Sequence, residues 1–177
     1  MKRLFLSVFM LLVAFATFAQ SRPKLIVGIA VDQMRWDYLH RYYNLYCEGG
    51  FKRLMNEGFD CENTMINYIP AITAVGHTSI YTGAVPSIHG IQANNFLLNG
   101  KMTYCTADST VSGVGTDSKA GQMSPRNMLT TTIGDELKVA TNFKSRVFGV
   151  SIKDRAAILP AGHAADAAYW IDSKQSK

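Results

Sequence analysis

Five polar side chains in this sequence have the types and positions to handle an anionic ester. Asp32 closes the apolar run KLIVGIAV, residues 24–31. A carboxylate at that point can hold a hard or borderline metal, cap the next helix, or stay solvated. Thr73 opens the stretch TAVGHTSIYTG, just before the N-terminus of an expected helix. Free backbone N–H groups gather there and favour anionic oxygen, which suits a hydroxyl attacking phosphorus. The same position suits an ordinary threonine N-cap. Lys153 and Arg155 are one residue apart, a spacing that in extended backbone turns both to one face. Together they could grip phosphoryl oxygens, the arginine as a fork and the lysine as a point charge. Asn94, in the pair Asn94-Asn95, can donate an amide N–H to a phosphate oxygen or simply shape a turn.

Other reactive residue types point to less. His77 and His89 lie twelve positions apart without a second ligand at helical spacing, so structural hydrogen bonding is the expectation for both, and for His163. Cys47, Cys61 and Cys105 form no CxxC or Cys/His metal pattern. They allow one disulfide at most, with no basis for choosing the pair, or three free thiols.

Elements that could position these groups follow from the apolar pattern. Residues 24–31 are β-branched and apolar and predict a buried strand. Residues 34–57 predict two short helices broken at Gly49-Gly50, and residues 58–65 a second strand. Residues 73–83 predict a helix closed by Gly83. Residues 91–104 predict a hairpin turning at Leu98-Asn99-Gly100-Lys101. After a Gly/Ser/Thr-rich loop at 109–122, Ser124-Pro125 reads as a helix start, with Met128, Leu129, Ile133 and Leu137 as its apolar face. Residues 146–152 predict a third strand. The order strand, helix, strand, helix, helix, strand points to an α/β fold, layered αβα around a mostly parallel central sheet. Ligands in such folds collect beyond the carboxyl ends of the strands, where Asp32 and the Lys153/Arg155 pair fall.

Composition narrows the partners. The formal net charge of +5 over 177 residues includes Lys2 and Arg3, and basic residues are scattered. No run suited to a nucleic-acid backbone is present. Residues 1–19 have a basic start, an apolar stretch and Thr17-Phe18-Ala19, which reads as a signal peptide cleaved between Ala19 and Gln20. The apolar stretch is shorter than the roughly 20 residues a membrane span needs. The expectation is a periplasmic or secreted protein with no stable membrane anchor after cleavage, its one domain occupying residues 20–177.

Five segments in order, VDQMRWDYL, INYIPAITAVGHTSIYTGAVPSIHGI, ANNF, MSPRNMLTTTIGDEL and SIKDRAAILPAGHAADAAYW, resemble the alkaline phosphatase superfamily. More narrowly they resemble the phosphate-irrepressible alkaline phosphatases, relatives of the nucleotide pyrophosphatase/phosphodiesterases. The resemblance spans residues 24 to 171. It implies Asp32 as a ligand to one of two Zn2+ ions and Thr73 as a metal-bound nucleophile that forms a phosphothreonine intermediate. It implies Asn94, Lys153 and Arg155 as the groups that bind phosphate. The Lys/Arg pair favours a small-molecule phosphomonoester, whose two charges need cationic partners, over a diester with one charge.

Such relatives complete the metal site with an Asp-x-x-x-His segment, an Asp-His pair and a final His. This sequence has no Asp-His pair, and Leu159 stands four residues before His163. The resemblance therefore implies the N-terminal part of the domain, a truncated frame or gene fragment. Three functions follow as expectations: phosphoric monoester hydrolysis, phosphodiesterase or nucleotide pyrophosphatase activity, and non-catalytic phosphate binding.

Overall fold

The computed structural model describes residues 23–173; the signal sequence read at 1–19 lies outside them. The chain divides between Val31 and Asp32 into two units. In the first, residues 24–31 form no strand, contrary to expectation. Leu25, Ile26, Val27, Ile29 and Val31 are exposed. β-Branched composition supplies propensity only. A strand also needs a neighbour to take its N–H and C=O groups, and this run has no ladder partner among the described residues.

The second unit begins with α1 (Asp37–Arg41), a 3-10 turn (Tyr43–Leu45) and α2 (Phe51–Glu57). Gly50, at φ 64°, turns the chain between them, as the Gly49-Gly50 break predicted. Residues 58–65 are irregular rather than a strand, for the same lack of a partner. Next come α3 (Thr73–Thr82) and the single turn α4 (Pro86–His89). Gly83 adopts the left-handed conformation that ends α3, which a residue with a Cβ adopts only with strain.

Strands β1 (Asn95–Leu98) and β2 (Lys101–Tyr104) pair antiparallel, with Leu98 opposite Lys101. Asn99 and Gly100 both have positive φ, 50° and 77°, the requirement of the tight turn that suits a twisted hairpin. The helix expected from Ser124-Pro125 starts instead at Ile133, as α5 (Ile133–Ala140). Thr132 and Asp135 there form a reciprocal capping box, which satisfies two free donors at once. Ser124 opens only a single turn: its oxygen accepts the Arg126 N–H at 3.2 Å and Met128 N–H bonds Pro125 O, while its hydroxyl donates to Asp108 at 2.6 Å and its N–H bonds Thr106 O. Met128 enters the core, while Leu129 and Ile133 stay exposed.

β3 (Phe148–Val150) and β4 (Ala167–Tyr169) pair in parallel, joined through α6 (Asp154–Ala161). β3 lies inside the strand predicted at 146–152 but is shorter. Among the described residues the regular structure is thus mixed helix with two two-stranded sheets. α6 packs on β3, β4 and α3. Gly149 makes the first contact possible, because a Cβ there would strike the Ala157 carbonyl of α6. The main core joins Ala74 of α3, Ile91, Phe96 of β1, Cys105, Met128 and Leu159 of α6, with Ala93 and Tyr104 against it. Helices α3 and α6, which carry Thr73 and Arg155, therefore meet the hairpin end in one packed body.

Candidate phosphate site

Thr73 is the first residue of α3, and the N-cap position belongs to Ile72. The hydroxyl is therefore not an N-cap. It donates instead to Asp32 Oδ2 at 3.0 Å. The helix start is served from elsewhere: the Ala74 N–H donates to Asn94 Oδ1 at 3.1 Å. That bond fixes which way the Asn94 amide faces. Its oxygen is turned to the helix, so its NH2 is the group left to meet a ligand.

His77 lies one turn after Thr73 and is buried. Burial holds its imidazole below the ordinary pKa; the Asp32 carboxylate pulls the other way, and the Arg155 guanidinium adds to the lowering. Arg155 is in the first turn of α6, not in extended backbone, and Lys153 is the N-cap residue of that helix. The strand spacing expected for the pair is replaced by helix-start geometry. Arg155 Nη1 donates to the Tyr104 hydroxyl at 2.9 Å, and its Nε is buried with no acceptor among the described residues. The Lys153 side chain is exposed and makes no hydrogen bond or ion pair among the described residues.

His89 stands apart from this group. Its Nδ1 accepts the Ile91 N–H at 3.1 Å, and its Nε2 lies 2.9 Å from Ser79 Oγ. With Nδ1 an acceptor, the neutral ring carries its proton on Nε2 and donates to serine. It therefore cannot act as the base for Ser79, despite a serine–histidine contact. His163 is exposed. Cys47, Cys61 and Cys105 are all free thiols. Burial first, then the Asp154 charge, pushes Cys105 up to about 11, so it stays an inert thiol.

A metal finds few donors here. Among the described residues no group of three or more His, Cys, Asp or Glu side chains could hold an ion. Asp32 and Thr73 supply two oxygens on one side, whereas zinc takes about four donors. These residues do not by themselves make a zinc site.

Reading the sequence in isolation misses Tyr104, Thr106 and Asp154, which surround Arg155. The one available signal is Asp154, a carboxylate set between two cations.

A family model described as type I phosphodiesterase / nucleotide pyrophosphatase matches residues 26–176. The chain is 58% identical over 166 residues to a protein of Myroides odoratus named calcium-transporting ATPase, covering 91% of this chain and 30% of that one. It is 58% identical to alkaline phosphatase PafA of Elizabethkingia meningoseptica, over 91% of this chain and 30% of that protein. With alkaline phosphatase PhoV of Synechococcus elongatus the identity is 59%, over 86% and 28%. The crystal structure of wild-type PafA superposes with a TM-score of 0.87, covering 90% of this chain and 31% of that one. A PafA form with one threonine, one asparagine, one lysine and one arginine replaced gives 0.86 at 56% identity. The chain thus spans about 30% of the length of the PafA protein it matches.

Proposed function

The chain belongs to the type I phosphodiesterase / nucleotide pyrophosphatase family, and on that footing we propose that it carries the nucleophile and phosphate clamp of a phosphoric monoester hydrolase. Its similarity to proteins named alkaline phosphatase supports this reading. So does the substituted set in the solved relative, whose residue types match Thr73, Asn94, Lys153 and Arg155.

The observation that carries the proposal is the Thr73–Asp32 hydrogen bond at 3.0 Å beside the oriented Asn94 amide. Asp32 accepts the hydroxyl proton's hydrogen bond and so aims an oxygen lone pair away from the carboxylate. Thr73 Oγ bonds to phosphorus as its proton passes to Asp32, the P–O bond to the leaving group breaks and that oxygen takes up a proton to depart as alcohol, and water later cleaves the phosphothreonine to free Thr73 and phosphate. Asn94 donates to one non-bridging oxygen while Arg155 and Lys153 neutralise the others. A monoester keeps two charges on those oxygens through the transition state, so fixed cations favour it. Toward zinc, this chain would contribute Asp32 and Thr73 as ligands; no step here is assigned to the metal. The export signal read at residues 1–19 supports a periplasmic or secreted location for this chemistry, on a domain taken to begin at residue 20. In the same proposal, β3 and β4 belong to the parallel sheet of a layered αβα fold.

Purified chain supplied with zinc tests the reading with an aryl phosphate and with bis-aryl phosphate. Turnover of the monoester that disappears in Thr73→Ala supports it; turnover unchanged by that substitution sinks it. Should the chain lack turnover, calorimetry with inorganic phosphate still decides the clamp: binding must weaken in Arg155→Ala. The family description favours one rival, a diesterase, which the diester arm would reveal by the faster rate.

A further inference from the structure

Arg155 reaches the site from a short relay of side chains that the proposed chemistry does not use. Asp154 accepts two hydrogen bonds, from the Tyr104 hydroxyl on Oδ1 at 3.0 Å and from Thr106 Oγ1 on Oδ2 at 2.5 Å. A carboxylate can only accept, so the tyrosine proton must point at Asp154. That leaves the phenolic lone pairs facing Arg155, whose Nη1 donates to them at 2.9 Å. The direction of every bond in the chain Thr106, Asp154, Tyr104, Arg155 is thereby fixed.

The platform under this relay is rigid. Tyr104 ends β2, and its ring packs on the main core. Thr106 is fully buried. Asp154 opens α6, where a negative charge suits the helix start. A tyrosine hydroxyl stands between Asp154 and Arg155, and no ion pair joins these two neighbours directly. A direct pair would spend the guanidinium charge on the carboxylate. The intervening neutral hydroxyl holds the guanidinium in place and leaves its charge for an anion. Burial above all pushes the phenol up to about 12, so it remains protonated and keeps this polarity.

We propose that Tyr104, backed by Asp154 and Thr106, is a positioning residue that holds the Arg155 guanidinium ready for phosphate. The inference rests on reading Arg155 as a phosphate ligand. Two measurements on the full chain separate it from that reading. In the first, calorimetry follows inorganic phosphate binding to the unaltered chain, Tyr104→Phe, Arg155→Ala and the double variant. Phenylalanine keeps the packed ring and removes only the oxygen. Tyr104→Phe should weaken phosphate roughly 10-fold or more, as expected for a hydrogen bond to a charged group. In the Arg155→Ala background it should add nothing. Independent, additive losses would overturn the positioning role. An unchanged affinity in Tyr104→Phe beside a weakened one in Arg155→Ala would overturn it too, and leave the clamp intact. Arg155→Ala without effect would instead overturn the clamp and the inference together.

In the second, side-chain nitrogen NMR reports on Arg155 without any ligand. Separate, slowly exchanging Nη signals in the unaltered chain should merge in Tyr104→Phe. Identical Arg155 signals in both would overturn the proposal even if phosphate binding fell.

Discussion

Thr73 and Asp32 lie 41 positions apart in the chain, and the hydroxyl of the first donates to the carboxylate of the second at 3.0 Å. A threonine at a helix start normally spends that hydroxyl on the helix. Here the helix is served by Asn94, and the Thr73 oxygen is released for another task. Two residues thus exchange the roles that local sequence would assign them.

Removing the proposed nucleophile should therefore be chemically severe and structurally mild. Thr73→Ala is expected to lower hydrolysis of an aryl phosphate by on the order of 10³-fold or more. Thr73→Ser, which keeps the oxygen, should retain measurable turnover. Because the hydroxyl does not cap α3, the thermal midpoint of Thr73→Ala should stay close to that of the unaltered chain.

Asn94 should behave in the opposite way, because it serves the helix and, in the proposed function, the ligand as well. Asn94→Ala removes the acceptor for the Ala74 N–H and should cost about 1 kcal/mol of stability, the usual worth of a cap. Asn94→Asp keeps an acceptor and should keep the thermal midpoint. It also puts a negative charge where the amide would meet phosphate, so phosphate binding by calorimetry should be lost. Loss of stability in both variants alike would contradict the division of labour between the two ends of the amide.

Gly149→Ala tests how Arg155 is carried. The added methyl would meet the Ala157 carbonyl and the Ala161 side chain, in backbone that cannot swing aside. Prising α6 from β3 should destabilise the chain by about 1–3 kcal/mol, as overpacking does. The check is a denaturant midpoint, which should fall for Gly149→Ala and not for a surface change such as Lys101→Ala.

Acid stability should fail in two stages. His89 is held below its ordinary pKa by burial, so the unfolded chain takes a proton first. Stability from this group is present above about pH 6.5 and declines as pH falls below it. Asp166 and Asp108 are held well below the carboxylate range. For Asp166 the largest cause is the Lys138 hydrogen bond, with the Val147 N–H and Arg146 behind it; for Asp108 it is the Ser124 hydroxyl. Their depressed values add stability above about pH 4 that is lost as pH falls toward the folded values. Asp166→Asn should flatten the second stage in a denaturant series against pH. It should also lower stability at neutral pH, because it strips the buried Lys138 of its 2.7 Å partner.

Local chemistry made several elements readable in advance. The Asn99-Gly100 turn, the Gly83 stop and the Gly49-Gly50 break each depend on backbone conformations that adjacent residues impose, so neighbours in sequence carry the information. The same holds for Thr132 and Asp135, three residues apart, although Ser124-Pro125 offered a competing start that makes only a single turn. The candidate residues were legible as types. The sequence by itself determined which chain positions hold a carboxylate, a hydroxyl, an amide and two cations near element ends.

Their arrangement came only from tertiary packing. No local signal pairs Thr73 with Asp32, turns the Asn94 oxygen toward Ala74, or sets the Tyr104 hydroxyl between Asp154 and Arg155. Nor could composition tell that residues 24–31 would lack a ladder partner among the described residues, since a strand is defined by its neighbour rather than by its own side chains. Hydrogen bonds between residues 41 to 51 positions apart exist only once α3, the hairpin and α6 close on a shared core. That closure is driven by non-directional burial, and the polar geometry is then selected by which donors and acceptors the packing leaves face to face.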